Sequence, residues 1–201
     1  MGIKERRQRQ KQELRGGILD AARKIASAEG WQAVTIRKIA GSIEYSPPVI
    51  YEYFESKDEI LLELMRLGYA QQLEAVESAR RTASGPEEAL IDISHAWMDF
   101  AFRSPDLYQV MYGLGSVPFS AADTSKEGEK IAVPVGKVVE EVLQSNGKDP
   151  NDVEGKVVLL WATVHGLAAL AMVGRIPGGQ QEARRLAEQA ANDLLKAWKG
   201  V

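Results

Sequence analysis

Apolar residues recur along this chain at spacings of three and four, and short breaks carrying Gly, Pro, Ser or Asn separate the runs. The first run, Ile18, Leu19, Ala21, Ala22, Ile25 and Ala26, stops before Gly30. A second, Ile36, Ile39 and Ala40, follows Thr35, a residue of helix N-cap type. Ser46 repeats that arrangement with Pro47 at the first helical position, where a missing N–H leaves nothing unsatisfied. Ser56 and Glu59 form a capping-box pattern ahead of Ile60, Leu61, Leu62 and Leu64. One long helix is therefore expected from Lys57 to about Arg81. Further helices are predicted from Glu87 to Phe102, Ser104 through Tyr112, about 129 to Ser145, Asn151 to Gly174, and Gln180 to Lys199, with 113–128 as a loop. No alternating strand pattern appears, so the expected class is all-α.

One run changes the picture. Val157 to Gly174 passes without a charged residue, which reaches the lower length limit of a membrane span. His165, Thr163, Ala162, Gly166 and Ala168 fall inside it, and Asp152 and Glu154 precede it. A buried helix is the better reading, and no membrane association is expected. A helix apolar on all sides must cover two faces, one inside its own domain and one elsewhere. The last helix adds a stripe of Leu186, Ala190, Leu194, Ala197 and Trp198. Two such helices can build a four-helix seam between two copies of the chain.

Composition narrows the chemistry. The chain has 201 residues, no cysteine and a net charge of −3, which excludes disulfides, cysteine-ligated zinc and thiol catalysis. The opening MGIKERRQRQ has no apolar stretch of a secretory signal, so a cytoplasmic location is expected. Charge is uneven: residues 1–60 carry 11 Lys/Arg against 9 Asp/Glu, and the remainder carries 14 against 19. Lys4, Arg6, Arg7, Arg9, Lys11 and Arg15 make a basic arm, which suits a phosphate or minor-groove contact or a solvated terminus equally. Gly16–Gly17 costs a helix about 2 kcal/mol relative to two alanines, so the arm is expected to order only on DNA.

The stretch Thr35–Lys57 carries the functional signal. Two short helices three to four residues apart make the helix-turn-helix layout that places its second helix in a DNA major groove. Thr35, Ile36, Arg37, Ile39, Ala40, then Tyr51, Phe54 and Lys57, resemble the DNA-binding module of TetR-family transcriptional regulators. Trp161, His165 and Gly166 resemble a signature of one class of that family's C-terminal domains. Two departures stand out. Glu44 and Tyr45 occupy the turn where the family usually carries Gly then Val, so either Gly41 relieves the strain or the turn has another geometry. Pro48 after Pro47 disfavours the helical conformation at Pro47, so the recognition helix is expected to start one residue late.

The resemblance implies a basic arm and three-helix DNA-binding domain over 1–60, and a helical ligand-binding and dimerisation domain over 61–201. It further implies a ligand-responsive regulator, by default a repressor, binding a near-palindromic operator as a homodimer through helices at about 153–174 and 180–199. By motif position, Thr35, Ser46, Tyr51 and Lys57 would hold phosphates. Arg37 is the side chain able to fork onto guanine, although a surface ion pair with Glu44 or Glu55 is the alternative. Pro47, Pro48 and Val49 can only pack on thymine methyls or read shape, and Tyr53 would touch a base or phosphate. Phe54 is expected in the core, with the Tyr51 ring buried and its hydroxyl outward.

A pocket for a mostly apolar effector would be lined by Trp97, Phe102, Tyr108, Met111, Tyr112, Phe119, Trp161, His165 and Met172. Binding there would release DNA through the long connecting helix. A helical enzyme is a rival of another class, resting on His95 and Asp99 four residues apart. One histidine and one carboxylate fall short of a metal site, and no phosphate-binding glycine loop occurs, so no catalytic residue, cofactor or metal is expected. A DNA-independent helical adaptor is the third reading.

Overall fold

The computed structural model describes residues 2–114 and 121–200. Every regular element among them is helical: α1 Ile3–Glu29, a 3₁₀ turn Trp31–Ala33, α2 Ile36–Ser42, α3 Pro47–Tyr51, α4 Lys57–Thr82, α5 Pro86–Arg103, α6 Pro105–Met111, α7 Ala121–Ser145, α8 Val153–Met172 and α9 Gly179–Lys199. Contacts gather these into two compact units, one holding the chain through Gly68 with the segment from Asp106, the other holding Tyr69–Pro105 and the chain from Thr124.

The first unit has one apolar core. Ile18, Ala21 and Ala22 of α1, Ile39 and Ala40 of α2, Ile50 of α3, Phe54, and Ile60 and Leu64 of α4 are all buried. Their recurrence at helical spacing is why these short helices hold together, since α3 has too few residues to persist alone. α6 belongs to the same unit through a contact 83 residues apart in sequence. The Arg23 guanidinium donates to both Asp106 carboxylate oxygens, at 2.5 and 3.3 Å. The Trp31 indole N–H donates to the Asp106 carbonyl at 3.2 Å. Gly68 sits mid-helix in α4, where glycine is unfavourable. Its reason is Met111, whose Cγ would lie 2.8 Å from a Cβ at that position.

The second unit is organised by α5, α8 and α9, which pack on one another. α9 buries Ala183, Ala187, Ala191 and Leu195, a four-residue repeat of mostly small side chains that lets helix axes approach closely. Two ion pairs and one histidine contact fix α5 and α9 antiparallel: Glu87 with Lys199 at 2.9 Å, Asp99 with Arg184 at 2.8 Å, and the His95 imidazole 3.3 Å from the Glu188 carboxylate. Such surface pairs contribute little energy each, but they set register. The Lys199 and Asn146 hydrogen bonds hold the Glu87 carboxyl below the usual carboxylate range. His95 and Asp99 thus reach separately across to α9, and not to each other as the rival enzyme reading would need.

Three other expectations change. α1 runs unbroken through Gly16–Gly17; its two halves are anchored on either side, by buried Ile18 and by an Arg15–Glu63 ion pair at 3.0 Å. The loop expected over 113–128 ends by Ala121, where α7 begins. A Glu127–Lys130 pair at 2.6 Å supports that first stretch of α7. The charge-free run forms α8, a helix long and apolar enough to cross a membrane, yet it buries only Leu160, Val164 and Ala168.

Candidate nucleic-acid interface

α2 opens as its sequence predicts. The Thr35 hydroxyl accepts from the Lys38 N–H at 3.2 Å, satisfying one of the free donors of the first turn. Lys38 in turn pairs with Glu29 at 2.6 Å, tying α2 to the end of α1. α2 ends in a Schellman turn: Tyr45 N–H donates to the Ala40 carbonyl at 2.9 Å and Glu44 N–H to the Gly41 carbonyl at 3.3 Å. Glu44 occupies the left-handed position itself, with φ of 60°. Glu44 thus takes the backbone conformation that glycine adopts without strain, and Gly41 stays inside the helix.

α3 starts at Pro47, not a residue later. Ser46 is extended at φ −88° and ψ 151°, which a residue before proline favours. Its hydroxyl makes no capping bond. An N-cap oxygen normally accepts from the second or third helical N–H. Here the second residue is Pro48, and the Val49 N–H bonds the Ser46 carbonyl at 3.0 Å. Two prolines therefore stiffen the helix start and leave the Ser46 hydroxyl facing outward. At the next start, Glu59 N–H donates to the Ser56 hydroxyl at 3.2 Å, while the Glu59 carboxylate accepts from Glu55 N–H at 2.5 Å, one residue before the box position.

Burial divides the predicted DNA contacts cleanly. Thr35, Arg37, Ser46, Pro47, Pro48 and Tyr51 are exposed, Val49, Tyr53 and Lys57 half-buried. Ile50 and Phe54, on the opposite side of α3 and its exit, are buried. Tyr51 is 55% exposed, so its ring stands outward and the expected burial of that ring does not occur. Arg37 makes no ion pair among the described residues, so neither Glu44 nor Glu55 holds it.

Several neighbours were not foreseen. Tyr45, in the turn, is 48% exposed. Lys11 lies over the Tyr53 ring at 6.0 Å and Arg15 over the Phe54 ring at 4.8 Å. Arg7, Gln10, Lys11, Glu13, Leu14, Tyr45, Glu52 and Tyr53 line an open cleft of about 630 Å³. The basic character of the arm was visible in the sequence; that it lies beside the helix-turn-helix was not.

The effector candidates fall in both units. Tyr108 and Met111 are fully buried in α6, with the Tyr108 and Tyr112 rings 4.7 Å apart. In the second unit Trp97 is buried, Arg184 covers the half-buried Phe102 at 4.9 Å, and Trp161 stacks on His165 at 5.6 Å. Burial holds the His165 imidazole below its ordinary pKa. Met172 is half-buried at the end of α8. Phe119 lies outside the described residues.

Known proteins agree with this arrangement. Residues 18–64 match the family described as bacterial regulatory proteins, tetR family, and residues 90–194 match the tetracyclin repressor-like C-terminal domain. The chain is 27% identical over 92 residues to the uncharacterized transcriptional regulator YobS of Bacillus subtilis, covering 46% of this chain and 48% of YobS. It is 29% identical over 105 residues to the transcriptional repressor NicS of Pseudomonas putida, covering 52% and 50%. These matches span about half the length of each relative. The transcriptional regulator FadR of Bacillus subtilis, solved with stearoyl-CoA, superposes with a TM-score of 0.74 at 18% identity, covering 89% of this chain and 96% of that one. At that identity the likeness speaks for the fold alone. The helix-turn-helix and more than half the chain beyond it fit one set of regulators, and the chain belongs to the TetR family of transcriptional regulators.

Proposed function

We propose that this regulator binds a near-palindromic duplex as a homodimer, acts as a repressor in the cytoplasm, and leaves DNA when a mostly apolar small molecule binds. The observation that carries the DNA reading is the outer surface of α2 and α3. Arg37, Ser46, Pro47, Pro48 and Tyr51 are exposed together while Ile39, Ile50 and Phe54 hold the pair from behind. Arg37 would read guanine, the prolines and Val49 thymine methyls or groove shape, and Thr35, Ser46, Tyr51, Tyr53 and Lys57 would hold phosphates.

The dimer rests on α8. Opposite its packed stripe, Val158, Leu159, Ala162, Leu170 and Val173 are exposed, a contiguous apolar face with no charge to keep it soluble. Leu186, Ala190 and Leu194 of α9 are only half-covered within the chain. A second copy of both helices would bury these residues, and a two-fold pair would carry two α3 helices to half-sites about 34–36 Å apart. For the effector, the second unit offers Trp97, Phe102, Trp161 and His165, which suit an apolar body with few polar groups. FadR holds stearoyl-CoA, so long-chain acyl thioesters are the first class to try. Selection of bound sites from a random duplex pool tests the reading. An inverted repeat is expected, and a pool with no enrichment at low salt would defeat it.

A further inference from the structure

The first three turns of α1 have no structural reason to be helical. Residues 4–13 are exposed on every side and contain no apolar stripe, and a helix polar all round needs an outside partner or strong internal pairing. Lys4, Arg7, Lys11 and Arg15 recur at three- and four-residue spacing, so they share one face. That face is held against the DNA-reading module: Arg15 pairs with Glu63 at 3.0 Å, and Lys11 lies over Tyr53. Arg7 and Lys11 line the cleft with Tyr45 and Tyr53, which bracket α3 in sequence. Glu13 and Glu52 line the same cleft, yet among the described residues Arg7 and Lys11 form no ion pair with them. Gly16 and Gly17 have no neighbour within 4 Å of an added Cβ, so packing does not require glycine at either position.

The geometry points to the N-terminal half of α1 as a second DNA-binding element, a preformed basic helix that lies along the phosphates beside the groove α3 enters. This rests on the DNA reading above and adds a contact outside the helix-turn-helix. Its chemistry is sequence-independent: Arg7 and Lys11 each neutralise a phosphate and release counterions, and the Tyr45 hydroxyl donates to a sugar–phosphate oxygen.

The test compares the wild-type chain with Arg7→Gln/Lys11→Gln, which keeps good helix formers, and with Lys137→Ala as a charge control on the exposed surface of α7. Binding to a random-sequence 30-base-pair duplex (about three helical turns) is followed by fluorescence anisotropy from about 50 to 200 mM salt. The double variant is expected to lose about 0.9 of salt slope per contact, roughly 2 per subunit, with Lys137→Ala unchanged. Equal slopes for wild type and double variant would overturn the arm contact while leaving the DNA reading intact. An equal loss in Lys137→Ala would reduce it to bulk charge. A wild-type chain that ignores the duplex would sink both.

Discussion

Glu44→Gly is expected to make the protein more stable, against the usual cost of a glycine. Three other helix ends close with the same six-residue bond, from the Leu114 N–H to the Gln109 carbonyl, Lys148 to Leu143 and Arg175 to Leu170, each at 2.9 Å. Their left-handed residues are Gly113, Gly147 and Gly174, with φ of 66°, 66° and 68°. Glu44, at φ 60°, stands in the same slot with a Cβ. A side chain there costs about 1–2 kcal/mol, and the added freedom of glycine in the unfolded chain returns about 0.4–1 kcal/mol of that. The net gain is about 0.5–1 kcal/mol, read as a higher urea midpoint by far-UV circular dichroism. Glu44→Ala separates charge from conformation, because alanine keeps the Cβ. It should gain nothing. If Glu44→Gly were no more stable than Glu44→Ala, the strain argument would be wrong. Removing this carboxylate from the turn before α3 should also tighten duplex binding, and Glu44→Ala should share that effect.

The remaining expectations follow from single contacts. Arg23→Ala leaves the 6%-exposed Asp106 carboxylate unpaired and should cost about 2–4 kcal/mol. Asp106→Asn should cost less, because the Trp31 bond goes to the backbone; equal losses in urea would show that the ion pair is not the contact that matters. Burial lowers the folded-state pKa of His165, so the unfolded chain takes up more protons, and the stability this group contributes is lost as pH falls below about 6.5. His165→Gln should flatten the stability profile between about pH 7 and 5, and an unchanged slope would contradict the assignment. Leu159→Glu sets a charge on the exposed face of α8 and should yield single chains in sedimentation at micromolar concentration; an unchanged mass would place the seam elsewhere. Arg37→Ala should lose about 1–3 kcal/mol at one base pair of a selected site. Equal loss on every sequence would mean that Arg37 holds only phosphate.

The helices were legible because each carries its own signal. Thr35 caps α2 and Pro47 opens α3 by local rules, and apolar spacing marks the buried faces of α1, α4 and α5. Glu44 was legible as a mismatch, since the turn's left-handed position is set by neighbouring hydrogen bonds whatever residue stands there. What the pattern could not carry was pairing at long range. Asp106 meets Arg23 across 83 residues, which draws α6 into the first unit instead of the second. His95 and Asp99 share a helix face, but α9 offers Glu188 and Arg184 in register, so neither needs the other. The Tyr51 ring is expected in the core with its hydroxyl outward, yet Ile50 and Phe54 already fill that side of α3. Gly16–Gly17 argued for a broken helix on propensity alone, and tertiary anchoring at Arg15 and Ile18 outweighed it.

A hydroxyl-radical footprint on a selected duplex, read together with the number of chains bound, addresses the α2–α3 surface directly. Two chains per duplex are expected, with two protected segments about 34–36 Å apart centred on adjacent major-groove faces and both lost in a Pro47→Glu/Arg37→Ala variant that remains folded. One chain per duplex, or protection that survives that variant, would contradict the proposed mode of binding.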